Sequence, residues 1–174
     1  LAELLYRKKK YRDAQQIMKP IVAHQQSNVR IVNLHARIML KLGDFKTACD
    51  TFEKARILNP YNPDRLIEFG SALLQTGRFD EADRRFDDAS KIIPKMHAAQ
   101  TGRGMVRLMR GELNEALDVL NKVTDQEELA SLFNTAAILT IRLGQYEKGM
   151  ALYDSALQLL GNVPDICSRL HWNK

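Results

Sequence analysis

A 34-residue spacing of glycine and proline is the feature that most constrains the fold of this chain. Gly43, Gly77 and Gly111 follow one another at this interval, and Pro60 precedes Pro94 by the same interval. Apolar residues recur at three- and four-residue steps before and after each glycine, as they do in amphipathic helices. Glycine can take the left-handed conformation that ends a helix, and proline cannot continue one. The spacing therefore predicts repeated units of two helices around a turn.

Residues 63–96 form the clearest of these units. Small Gly70 and Ala82 are predicted to let the two helix backbones approach closely, with larger apolar residues around them. The unit resembles a tetratricopeptide repeat, whose pattern is L-G-x-x-Y, then A-x-x-x-F, then P over 34 residues. The matching residues are Phe69, Gly70, Leu73, Ala82, Phe86, Ala89 and Pro94. Leu66 stands where the family usually has a large aromatic residue.

The same pattern divides the whole chain. It predicts full repeats at 29–62, 63–96, 97–129 and 130–163, with half repeats at 1–28 and 164–174. We therefore expect a single tetratricopeptide domain over residues 1–174. The chain opens with Leu1 inside an apolar helix pattern, which favours a segment cut from a longer protein.

The resemblance implies an all-α fold, a right-handed α-solenoid of stacked antiparallel helix pairs. One helix pair cannot bury its apolar face alone, so neighbouring pairs stack into a continuous core. In this family the first helices line a concave groove and the second helices form the convex back.

Three positions depart from the regular pattern. Pro20 lies within a helical pattern and is expected to kink or shorten that helix. Arg103 and Arg107 stand where core-facing apolar residues are expected. Either that helix is rotated, or the two side chains pack their stems and extend their charges to the surface.

Composition favours a folded protein that does not span a membrane. Apolar residues make up 45% of the chain and charged residues 27%, and no apolar run approaches the ~18 residues of a membrane span. No signal-peptide pattern is present at the start of the chain. Cys49 and Cys167 show no metal-binding spacing, so we interpret them as buried free thiols of a reducing compartment, most simply the cytoplasm.

No catalytic motif is found in the chain. HExxH, GxSxG, P-loop and GxGxxG patterns do not occur, and the histidines are scattered over separate units. We interpret His35 as a core histidine. The sequence therefore predicts no enzyme activity, no catalytic residue, no cofactor and no metal within these residues.

Charge argues against nucleic acid as the partner. The net charge of +5 is mild, and basic groups such as those between Arg7 and Arg12 are interrupted by acids. The aromatic residues stand at core positions of the repeats and so cannot form a stacking stripe. A solvated surface is the simpler interpretation of these charges.

The family resemblance also implies where a ligand would bind. The second, fifth, ninth and thirteenth residues of each tetratricopeptide repeat usually face the groove. They are Arg30, Asn33, Arg37 and Lys41, then Asp64, Ile67, Ser71 and Gln75, then Ala98, Thr101, Met105 and Met109, and finally Ser131, Asn134, Ile138 and Arg142. For Met105 and Met109 a core position is an equally open interpretation. Glu68 stands where a carboxylate-binding member of the family would supply an asparagine, so a chaperone-tail ligand is disfavoured.

Two functions remain open at this point. The first is a protein-interaction module that holds a peptide or helix of a partner protein in the groove. Such a partner would carry acidic residues to meet Arg30, Arg37 and Lys41, and apolar ones to meet Ile67, Met105 and Ile138. The second is a self-association or intramolecular scaffold, acting through the cut ends within a longer regulatory or assembly protein. The output domain of a bacterial signalling protein with a receiver domain is one example.

Overall fold

The structure, a computed structural model, describes residues 1–122 and 126–159. Those residues form ten α-helices and no β-strand, which confirms the all-α prediction. The chain divides into two compact units, Leu1–Arg103 (unit 1) and Gly104–Lys174 (unit 2). The helices are α1 (Ala2–Arg7), α2 (Tyr11–His24), α3 (Val29–Leu42), α4 (Phe45–Leu58), α5 (Pro63–Gln75), α6 (Phe79–Ile92), α7 (His97–Arg110), α8 (Leu113–Leu120), α9 (Gln126–Arg142) and α10 (Tyr146–Leu159).

Local capping explains where the helices of unit 1 begin. The Asn28 side chain accepts hydrogen bonds from the first-turn amides of α3, and the Asn62 Oδ1 accepts one from Arg65 N at 2.8 Å in α5. Asp44 Oδ1 does the same for Thr47 N in α4, at 3.1 Å. Each bond satisfies an amide that has no partner inside its helix. As a result α3 and α5 begin at the first residues of their predicted repeats.

Left-handed glycines make the turns inside the helix pairs. Gly43, Gly77, Gly111 and Gly144 have φ of +80°, +74°, +85° and +79°, a region that residues with a Cβ rarely occupy. The two-helix units predicted from the glycine spacing are therefore confirmed.

A close contact between helices organises the core of unit 1. The Phe86 ring of α6 is buried between Gly70 of α5 and Gly102 of α7. A Cβ at either glycine would come within 2.6 Å or less of a ring carbon. The predicted close approach at Gly70 is thus taken up by an aromatic ring.

In unit 2, α9 packs against α10 around buried Phe133, Ala137 and Leu152. The Lys148 ammonium donates hydrogen bonds to the carbonyl oxygens of Arg110, at 3.1 Å, and Met109, at 3.4 Å. A lysine from the second helix therefore satisfies carbonyls at the end of α7, which have no partner within their own helix.

Some sequence expectations are corrected or decided. Pro20 does not shorten α2, which continues to His24 and has 14 residues, as many as α3. Arg103 is half-buried, with Nε 3.7 Å from Asp83 Oδ1, so its stem packs and its charge reaches an acid on α6. Cys49 is a buried free thiol, as predicted. The predicted half repeat at 164–174, with its cysteine, lies outside the described residues.

Candidate functional site

The first helices of adjacent repeats in unit 1 share a surface with a cavity in it. Helices α3 and α5 contact each other directly. The cavity has a volume of about 480 Å³, which is within the usual range for ligand sites. We call it the α3–α5 cavity; its lining residues are Asn33, Arg37, Asn62, Asp64, Arg65, Ile67, Glu68, Met96 and Ala98.

An ion pair crosses this surface from α3 to α5. Arg37 Nε donates to Glu68 Oε1 at 2.8 Å, and the guanidinium lies 4.7 Å from the centre of the Tyr6 ring of α1. The Tyr6 ring also contacts Tyr11, with 5.5 Å between the ring centres. Arg37 is therefore held by a carboxylate and an aromatic face of its own unit, and its charge is not freely offered to a ligand.

The pKa values of both partners of this ion pair are shifted. Burial raises the pKa of the Glu68 carboxyl above its ordinary value of 4.5, although the charges of Arg37 and Lys41 act against the shift. For Arg37, burial alone would lower the pKa, but Glu68 and Tyr6 together outweigh it and the net pKa is raised. For Glu68 the effect of burial thus exceeds the attraction of the neighbouring positive charges, whereas for Arg37 the neighbouring groups outweigh burial.

Arg65 lines the same cavity but serves the fold. Only 4% of the residue is exposed, and Nη1 donates to the carbonyl oxygens of Ala55 and Asn59, the latter at 2.7 Å. These carbonyls belong to the end of α4, where a positive charge is favourable. Burial lowers the pKa of this guanidinium. Arg65 therefore ties α5 to the preceding helix.

Polar atoms of three residues that line the α3–α5 cavity have unfilled hydrogen-bond capacity. Asn33 Oδ1 is buried and accepts no hydrogen bond within the described part of the chain. Asn62 Oδ1 caps α5, while its Nδ2 makes no hydrogen bond among residues 1–122 and 126–159. Arg65 Nε is also buried and donates no hydrogen bond to a described residue. An acceptor on Asn33 and donors on Asn62 and Arg65 are thus left for another molecule.

The structure places the predicted ligand residues of unit 1 in different settings. Asn33, Arg37 and Ile67 line the cavity, and Arg30 and Lys41 are exposed on α3. The Ser71 hydroxyl donates to its own helix, at Ile67 O, 3.0 Å away. Gln75 and Thr101 are half-buried.

The predicted ligand residues beyond Arg103 separate into core and surface. Met109 is fully buried and Met105 is 7% exposed, so the core position is the one of the two open interpretations that their burial supports. Both residues lie on the apolar face of α7, together with Val106. On α9, Ile138 and Arg142 are exposed and Asn134 is half-buried.

Tyr6 and Arg65 could not be recognised from the sequence as parts of this surface. Tyr6 lies in the half repeat 1–28, outside the full repeats whose numbering assigned the groove residues. Arg65 looks like an ordinary exposed charge at helical spacing. Its position opposite the α4 carbonyls could be found only by folding α5 against α4.

Neither a metal site nor a membrane-spanning helix is found among the described residues. No cluster of three or more His, Cys, Asp or Glu side chains there could hold a metal ion. His35 is half-buried, with its buried Nδ1 making no hydrogen bond to a described residue, so it is less enclosed than the core histidine that the sequence predicted. Burial lowers its pKa. Among the described helices, none has the length and apolar character needed to cross a bilayer.

Known proteins resemble the chain in sequence and in fold. The family model "Tetratricopeptide repeat" matches residues 39–102. TPR repeat-containing protein YpiA of Bacillus subtilis is 29% identical over 163 residues, 91% of this chain and 38% of that protein. The chain therefore spans well under half the length of this relative.

Two solved structures have the same fold. YrrB, described as a TPR protein with an unusual peptide-binding site, has a TM-score of 0.66 and 23% identity, covering 98% of this chain and 87% of that one. MamA has a TM-score of 0.67 and 13% identity, covering 97% of each chain. At these identities the likeness establishes the fold class, an all-α tetratricopeptide solenoid.

Proposed function

We propose that the chain, whose fold is that of tetratricopeptide-repeat proteins, binds a segment of a partner protein on the first-helix surface of unit 1. Proteins of this family are generally interaction modules and non-enzymatic scaffolds. The α3–α5 cavity carries the proposal, because it combines apolar walls with polar groups on helices that other repeats hold in place.

The contacts of the surface suggest the chemistry of the partner. Ile67 is half-buried at the cavity and offers an apolar anchor point. Arg30 and Lys41 are exposed cations on α3, and acidic residues of the partner would meet them. Arg37 is a weaker ligand for such an acid than the sequence indicated, because Glu68 already accepts from it.

The test is a selection of short random displayed peptides on the full chain, followed by affinity measurements on variants. Ile67→Glu puts a charge in the apolar wall and is expected to weaken selected peptides at least about tenfold. Lys41→Glu is expected to weaken only those peptides that contain acidic residues. Thermal unfolding of each variant first establishes that the fold is retained.

Matched controls lie on α4. Ile57→Glu makes the same substitution at a side chain that is 70% exposed and outside the cavity, and Lys54→Glu reverses an exposed charge. Neither control should change affinity. If no peptide is selected, or if Ile57→Glu weakens binding as much as Ile67→Glu, the proposed surface is wrong.

A second candidate, self-association, is favoured by exposed apolar side chains at the turns of unit 1. Ile57, Leu58 and Tyr61 lie around the α4–α5 turn, and Ile92 and Ile93 at the end of α6. Clusters of exposed apolar residues often mark interaction sites. Sedimentation over a concentration series decides this candidate: a monomer at the highest concentration excludes it, and a dimer lost in Tyr61→Ser supports it.

A further inference from the structure

The charges that line the α3–α5 cavity cancel one another. Two arginines and two carboxylates line it, and each arginine already has partners within unit 1. Arg37 is held by Glu68, and Arg65 by the carbonyls at the end of α4. No net charge of the lining is left to attract a charged side chain.

A charged side chain would be poorly accommodated in this cavity. An entering carboxylate would meet Asp64 and Glu68, and an entering ammonium or guanidinium would meet Arg37 and Arg65. Removing a charge from water without a new opposite partner is costly. The lining therefore favours an uncharged group.

The unfilled hydrogen-bond capacity specifies that group. Asn33 Oδ1 lacks a donor among the described residues, and Asn62 Nδ2 lacks an acceptor there. A primary amide supplies both, since its NH₂ donates and its oxygen accepts. An unpaired buried oxygen is unfavourable, so turning Asn33 towards an incoming N–H is favoured. Ile67, Met96 and Ala98 provide an apolar wall for the methylene stem.

We propose that the α3–α5 cavity binds the side-chain amide of an asparagine or glutamine of the partner protein, a specificity that rests on the proposed function of this surface. The amide donates to Asn33 and accepts from Asn62. Acidic residues of the same partner segment remain outside, against Arg30 and Lys41.

The experiment uses the peptides selected on the full chain. Asparagine or glutamine should be enriched at one position of those peptides. A synthetic peptide with glutamine there should bind about tenfold more tightly than its glutamate, lysine and leucine counterparts.

A substitution in the chain tests the assigned donor. Asn62→Asp keeps the oxygen that caps α5 but removes Nδ2, so it should abolish the preference for glutamine and make lysine acceptable. Asn59→Asp is the matched control, because its Oδ1 also accepts a backbone bond, from Tyr61 N, in an exposed turn outside the cavity. It should leave the preference unchanged.

The outcomes separate this inference from the function on which it rests. Peptides that bind and respond to Ile67→Glu, but show a charged, apolar or variable residue at every position, overturn the amide specificity and leave the binding surface intact. A glutamine preference that survives Asn62→Asp also overturns it. Peptides that do not respond to Ile67→Glu overturn the binding surface, and the amide site with it.

Discussion

The helix pairs 63–96 and 130–163 achieve the same close approach with glycine on opposite helices. In the first pair Gly70 lies on α5, and a Cβ there would come within 2.6 Å of the Phe86 ring. In the second pair the glycine is Gly149 on α10, where a Cβ would overlap Ile141 Cγ1 and come within 2.9 Å of Thr140 Oγ1 and 3.0 Å of the Ala137 carbonyl oxygen.

The difference shows that the pair needs one residue without a Cβ, on either helix. In pair 63–96 the missing Cβ leaves room for a buried ring, which another side chain could replace. In pair 130–163 it leaves room for the Ile141 and Thr140 side chains and for the Ala137 carbonyl oxygen, and a substitution cannot remove that carbonyl. The two pairs should therefore respond differently to substitution, although their sequence patterns look alike.

The largest expected effect comes from emptying the ring site of the first pair. Phe86→Ala should destabilise unit 1 by about 3–5 kcal/mol, because the buried ring leaves a cavity between Gly70 and Gly102. Tyr153 is the equivalent residue of the second pair and is half-buried, so Tyr153→Ala should cost less. Urea unfolding gives the totals, and native-state hydrogen exchange assigns the loss to each pair. Equal losses of unfolding free energy for Phe86→Ala and Tyr153→Ala would contradict the difference between the two pairs.

Adding a Cβ to each glycine sharpens the contrast. Gly70→Ala and Gly149→Ala should each cost about 1–3 kcal/mol through overpacking. A smaller ring-site residue, Phe86→Leu, should reduce the cost of Gly70→Ala, because the two substitutions share one contact. Tyr153→Leu should not reduce the cost of Gly149→Ala, since the obstacle there includes a carbonyl oxygen. The two double-mutant cycles are measured by urea unfolding.

Turn glycines provide a case in which the two regions should agree. Gly144 has φ of +79° with no atom within 4 Å of an added Cβ, and the nearest atom to one at Gly43, with φ of +80°, is 4.0 Å away. Gly144→Ala and Gly43→Ala should therefore cost about the same, ~1–2 kcal/mol, from left-handed strain alone. Thermal unfolding of the two variants checks this. Costs that differ severalfold would mean that packing, and not φ, governs the turns.

The smallest expected effect is a pH dependence of stability that arises from Glu68 in the pair 63–96 and has no counterpart in the pair 130–163. The raised pKa of Glu68 means that the folded state binds its proton more tightly than the unfolded state, so stability is gained as pH falls through the raised pKa towards 4.5. Glu68→Gln should remove this gain. Thr135, at the same repeat position in the second pair, does not titrate.

The measurement for this prediction is the stability difference between wild type and Glu68→Gln from pH 7 to pH 4.5. Burial lowers the pKa of His35, so stability is lost as pH falls below 6.5, but this loss is common to both proteins and cancels. A difference that does not change with pH would contradict the assignment to Glu68.

Sequence reasoning succeeded where the determinants are local. The turn glycines act on residues within a few positions of themselves, so their spacing predicted where the first helix of each pair ends. The caps Asn28 and Asn62 are equally local, although the repeat pattern did not single them out. Sequence reasoning was less successful on α7, where Met109 is in the core although repeat numbering assigned it to the groove. Two arginines at apolar positions obscured the orientation of that helix.

By itself the sequence determined the helix pairs and their turns, and it predicted a surface for a ligand. The tertiary structure decided which side chains on that surface are still available. Arg37 is paired with a carboxylate 31 residues later, and Arg65 with a carbonyl ten residues earlier, in the preceding repeat. Spacing within one repeat predicts the face on which a residue lies, but its partners come from other helices. The charge that a binding surface offers therefore depends on how the repeats pack together.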